Sequence, residues 1–170
     1  MGSYTDHKES DAMKKLMLEA IAYNWGLCRA GDVHKIVWEI NYDMTYAITT
    51  YVPVLNPENK DDLPSISCIV DKGVMRKELF DKLRLLADKK LWRTRDKIDA
   101  YDGLAWDIRL YSEDGSLLNS SGKTGYIYNE EVLEKIVAAL PTRDKNNLKN
   151  HDNSREIYTI SYFEYLDRFR

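Results

Sequence analysis

The sequence predicts an α+β fold: an antiparallel sheet, made of a β-meander plus a β-hairpin, packed against about three helices. Three observations carry this expectation. Apolar and polar residues alternate with period two at Ile36, Trp38, Ile40 and Tyr42, and again at Leu104, Trp106, Ile108 and Leu110. Leu79, Phe80, Leu83, Leu86, Ala87 and Leu91 recur at helical spacing with charged residues on the other faces. Asp114-Gly115 is a two-residue hairpin signal, because glycine accepts the positive φ of a tight turn.

Taken in chain order, residues 1–10 are polar and mixed in charge and read as a flexible N-terminal tail. Ser10-Asp11 resembles a helix N-cap, and the sequence predicts a helix over 12–25. Met13, Leu16, Met17 and Ala20 repeat at helical spacing, while Leu18, Ile21 and Ala22 make the segment apolar nearly all round. Such a helix belongs in the middle of a core or across a dimer interface. From Val33 the period falls to two, giving a first strand that ends at Asp43. The β-branched and aromatic run from Met44 gives a second strand, closed by Pro53 and Pro57. A polar loop follows from Asn56, and Ile66 to Val70 supplies a third strand. Short connections among the three favour antiparallel pairing.

The amphipathic helix after Gly73 runs to about Trp92. A charged connection over 93–99 leads to the Leu104 strand, and the return strand starts near Leu117, where Gly122 and Gly125 bend it. Val132, Leu133, Ile136, Val137 and Leu140 form the stripe of another helix, which Pro141 stops. Residues 11–141 are therefore expected as a single domain, and 142–155, with Leu148 as its apolar residue, as a polar loop or linker. Residues 156–170 are expected as a C-terminal strand or interface element, ending in a short helical turn.

The stretch over 76–142 resembles a group of small uncharacterised bacterial proteins. The likeness lies in a helix ending near Trp92, the strand Asp102-Gly103-Leu104-Ala105-Trp106, the hairpin Asp114-Gly115, and Ser120-Ser121-Gly122 before a closing helix. After that glycine the chain has Lys123-Thr-Gly-Tyr-Ile-Tyr where the group has Asn-Ala-Tyr/Phe-Pro. The resemblance implies an α+β layout and carries no activity with it.

Lys+Arg number 25 against 28 Asp+Glu, a net charge of −3, which argues against a general nucleic-acid coat. Two cysteines, Cys28 and Cys68, and three histidines lack metal-ligand spacing, so neither metal nor cofactor is expected. So few cysteines point to reduced thiols and a cytoplasmic address. No apolar run approaches the roughly 20 residues of a membrane-spanning helix, and none opens the chain as a signal peptide.

No catalytic residues are assigned from the sequence. The carboxylates Glu39, Asp43, Asp102, Asp107 and Asp114 sit at strand ends or turns, where a metal or proton-transfer site competes with ordinary turn chemistry. His34 and His151 are candidate proton shuttles only if the fold brings them together. Ser120-Ser121 lacks a nucleophile-elbow pattern, and Gly122-Lys-Thr lacks the upstream glycine of a phosphate loop. Lys89, Lys90, Trp92, Arg93, Arg95 and Lys97 combine cations with a stacking ring, as a single-stranded nucleic-acid site requires. Twelve tyrosines in 170 residues point toward protein recognition, with Tyr126, Tyr128, Tyr158, Tyr162 and Tyr165 as interface candidates. The expected function is a non-catalytic protein-binding module, an inhibitor or regulator of another macromolecule, by analogy a bacterial or phage defence-related inhibitor of the anti-CRISPR type, with a homodimer as a further expectation. An RNA-binding protein or ribonuclease using the basic stretch is the alternative.

Overall fold

The computed structural model describes residues 15–24, 29–55, 63–87, 104–124, 131–142 and 154–170. They build one seven-stranded antiparallel sheet with three helices, the α+β architecture expected. The strands are β1 (Leu16–Asn24), β2 (Lys35–Asn41), β3 (Thr45–Val54), β4 (Ser65–Val74), β5 (Leu104–Tyr111), β6 (Leu117–Thr124) and β7 (Ser154–Ile160). Across the sheet they run β6-β5-β1-β2-β3-β4-β7. The helices are α1 (Lys77–Ala87), α2 (Glu131–Ala139) and α3 (Tyr162–Arg168).

The meander β2-β3-β4 and the hairpin β5-β6 form as expected, with the period-two pattern marking β2 and β5. In the first turn Asp43 Oδ1 accepts the Thr45 amide at 2.9 Å, while Met44 takes a φ of 69°. In the second, Gly115 has a φ of 86° and its amide donates to the Ser112 carbonyl at 2.9 Å. Asp114 there accepts hydrogen bonds from Ser112 and from the Ser116 amide, and these hold its carboxyl down to about 2.

The helix expected over 12–25 is instead β1, the third strand of the sheet. It pairs with β2 on one side and β5 on the other, so its backbone donors and acceptors are met laterally. Leu18, Ala20 and Ala22 face α1 and α2, whereas Ile21 faces the layer carrying α3. With Leu18, Ala20 and Ala22 buried on one face and apolar Ile21 and Tyr23 half-buried on the other, the strand loses most of its polar alternation, and its apolar run then imitates a buried helix. A bulge between Leu16 and Leu18 turns Met17 into the helix-side core.

That larger core lies between the sheet and α1 with α2. Trp38, Ile40, Ile48, Ile108 and Leu110 from the strands meet Phe80, Leu83 and Leu86 of α1 and Ile136 of α2. Trp38 Nε1 donates to the Pro141 carbonyl at 3.0 Å, satisfying the indole in the core and fixing the chain where α2 ends. On the opposite face a smaller core gathers Val37, Tyr51, Ile66, Cys68, Ile160 and Tyr165. Cys68 is a buried free thiol. Residues 154–170 thus join the same sheet through β7 rather than standing apart from it. One residue, Ser161, turns the chain from β7 into α3, and its side chain caps that helix by accepting the Glu164 amide at 3.1 Å.

Candidate functional site

Alternation along the strands decides which side chains face away from α1 and α2. Glu19, Ile21 and Tyr23 of β1 lie there, in register with Glu39, Val37 and Lys35 of β2. Arg109 and Asp107 of β5 continue the Glu19 and Ile21 rows. Helix α3 covers the neighbouring part of this face with Tyr165, and its C-terminal residues reach back over β2. Between them lies a cleft of about 340 Å³. Ile21 and Val37 contribute apolar surface to it, Glu19 and Arg109 line one wall, and Lys35 and Phe169 line another.

Arg109 is held between two carboxylates, Asp107 at 2.7 Å and Glu19 at 3.3 Å. Burial pushes the Glu19 carboxyl above its ordinary range; Arg109 opposes this, while Glu39 and Asp107 reinforce it. Lys35 is the unusual charge. Its Nζ sits 3.3 Å from the centroid of Phe169 and 5.3 Å from that of Tyr165, with Tyr23 at 5.8 Å. Burial brings the ammonium down to about 8. His34, next to it, is lowered by burial and by the charge of Lys35, and its ring meets Tyr165 edge-on at 5.8 Å.

A second surface lies at the far end of the sheet. Of the seven residues of β7, six are exposed and only Ile160 is buried. Ile157 is 66% exposed and Tyr158 38%, and on α3 Phe163 is 65% exposed. Among the described residues β7 pairs with β4 alone and ends the sheet. Its two charges point back across that pairing. Arg155 binds Asp71 through two hydrogen bonds, at 2.6 and 2.7 Å, and Glu156 faces Lys72 at 3.7 Å.

The residues singled out from the sequence fare unequally. Tyr158 stands on the exposed strand, where Arg168 donates to its hydroxyl at 3.0 Å. Tyr162 is half-buried against the smaller core. Tyr165 is 4% exposed and packs against Tyr51 and Phe169, so it is a core residue rather than a contact surface. Helix α3 turns its Tyr165 side onto the sheet, which a reading of composition could not show. Tyr126, Tyr128, the basic stretch Lys89, Lys90, Trp92, Arg93, Arg95 and Lys97, and also His151 and Asp102, lie outside the described residues.

The remaining carboxylates divide into separate roles. Asp43 and Asp114 serve their own turns, Asp107 pairs with Arg109, and Glu39 lies opposite Glu19. Among the described residues no three His, Cys, Asp or Glu side chains gather as a metal site. No helix among them is long and apolar enough to cross a membrane. Lys35 escaped sequence reasoning because it occupies the polar side of an alternating strand, where a solvated lysine is expected; only α3, arriving from the other end of the chain, half-buries it. Comparison with protein-family models, with curated proteins and with solved structures returned no match.

Proposed function

We propose that the chain is a non-catalytic protein-binding module, an inhibitor or regulator, whose partner adds an extended strand to β7. The supporting observation is that edge strand. An edge offers a row of backbone donors and acceptors to another chain, and proteins commonly guard edges with charges, proline or bulges. In β7 the charged side chains Arg155 and Glu156 are drawn back to Asp71 and Lys72 of β4. What is left toward the sheet's end is Ile157-Tyr158-Thr159-Ile160, rich in strand-forming residues and mostly exposed. Backbone pairing would supply affinity and the alternate side chains specificity, as in β-strand addition generally. Exposed Phe163 extends the apolar surface onto α3.

The test places a photo-crosslinking residue at Tyr158, and in a control at exposed Leu85 of α1, which is 70% exposed. Crosslinks to one protein species from position 158, absent from position 85 and lost with Ile157→Pro, support the reading. Proline removes a backbone donor without adding charge. Equal crosslinking from both positions, or a retained partner in the folded proline variant, overturns it. A salt-sensitive mass increase with RNA, and none with protein, overturns it in favour of nucleic-acid binding.

A further inference from the structure

We propose that the cleft beside Lys35 binds a small molecule carrying an oxyanion, a carboxylate or phosphate, on an apolar body, with Lys35 as the recognising charge. The fold balances most charges around the cleft for itself. Around the cleft, Arg109 has Asp107 and Glu19, Arg168 has Glu164 at 2.9 Å, and Arg170 has Asp167 at 3.3 Å. Among the described residues, Lys35 has ring faces and no carboxylate. Rings attract a cation through their quadrupole, but they accept none of its hydrogen bonds in the way an oxyanion does. A half-buried ammonium with three donors and aromatic walls is therefore incomplete in a specific chemical sense: it lacks an acceptor.

The surroundings define the rest of the ligand. Ile21 and Val37 offer an apolar surface in register with each other, and the Phe169 ring stands beside the ammonium. The volume, about 340 Å³, suits a small organic molecule rather than a polymer. At the rim Arg168 and Arg170 are paired with Glu164 and Asp167, and Glu19 and Asp107 are held by Arg109, which leaves the Lys35 ammonium as the charge without a carboxylate among the described residues. An oxyanion would thus be drawn to the Lys35 end, with its apolar part over Ile21 and Val37. Lys35 is placed for this by register, between Tyr23 on β1 and Tyr51 on β3.

The experiment follows the Lys35 Nζ resonance in ¹⁵N-lysine-labelled protein during pH titration, with inorganic phosphate, acetate or benzoate as probes. Binding of an anion at this ammonium raises its titration midpoint from about 8 and moves the Ile21 and Val37 methyl signals saturably. Benzoate exceeding acetate assigns the apolar surface to the ligand body; phosphate alone binding assigns a phosphate ligand. Lys35→Met should weaken binding about tenfold or more, the loss of a charge-assisted hydrogen bond, and Lys35→Arg should retain most of it. If no probe moves Lys35, or if folded Lys35→Met binds as the unaltered protein does, the proposal fails. The first result needs no variant, so a misfolded substitution leaves the test intact.

Discussion

Trp38 of β2 and Trp106 of β5 stack with ring centroids 5.7 Å apart and planes 20° from parallel, although β1 runs between their strands. They meet because β1 is cut low at that level. Ala20 pairs with Trp38, and Ala22 pairs with Trp106. Both alanines are buried, at 0% and 5% exposure. Enlarging either should wedge the indoles apart. Ala22→Leu is expected to destabilise the fold by about 1–3 kcal/mol, the usual cost of overpacking. Denaturant unfolding gives that loss, and the near-ultraviolet circular dichroism of the stacked pair should fall with it. An unchanged near-ultraviolet spectrum would mean the indoles do not depend on those alanines.

The β5-β6 turn depends on one backbone conformation. Gly115 has a φ of 86°, and a Cβ added there would meet nothing within 4 Å. Gly115→Ala should therefore cost only the backbone term, about 1 kcal/mol. A loss several times larger in chemical unfolding would point to contacts beyond the turn.

Arg155 and Asp71 are register partners on β7 and β4, joined by a two-pronged ion pair. Asp71 is the better buried of the two, its side chain 13% exposed against 38%. Removing the arginine with Arg155→Ala should cost about 1 kcal/mol and act locally. Amide exchange should accelerate along β7 and α3 while β1 and β5 keep their protection. Uniform acceleration across the sheet would contradict a local clamp.

Lys35 links the cleft to pH. Its folded-state value, about 8, lies below the ordinary 10.5 because burial opposes the charge. Below pH 8 both folded and unfolded chains carry the proton, and the full penalty for burying it is present. Between pH 8 and 10.5 the unfolded chain holds more protons, so this group's contribution to stability rises with pH. Lys35→Met should raise the denaturation midpoint at pH 7, and its advantage should shrink as pH climbs through that window. An advantage independent of pH would assign the gain to packing instead.

Much of this architecture was legible in the residues. The alternation at Ile36–Tyr42 and at Leu104–Leu110, the stripe through Leu83 and Leu86, and Asp114-Gly115 each mark a local periodicity or turn, and each forms the expected element. β1 was not legible, because half-buried Ile21 and Tyr23 on the face opposite Leu18, Ala20 and Ala22 remove most of the polar half of its pattern. The cleft was less legible still. It exists because Phe169 returns over Lys35, 134 positions earlier in the chain, and no local period encodes that meeting. Tyrosine number suggested an interface, but burial sorted Tyr165 from Tyr158.

The strand order has a consequence for the chain as it is made. β2 begins at Lys35, soon after β1 ends at Asn24, yet β1's other neighbour, β5, pairs Leu110 with Leu18. A ribosome must therefore deliver the whole of β2, β3, β4 and α1 before β1's second edge can close. Until then a strand built of Leu-Met-Leu-Glu-Ala-Ile-Ala offers an open flank to any neighbouring nascent chain. Such distant pairing slows folding, since the loop must close before its contacts form. A strand paired on both sides in the finished sheet is thus an open one during birth.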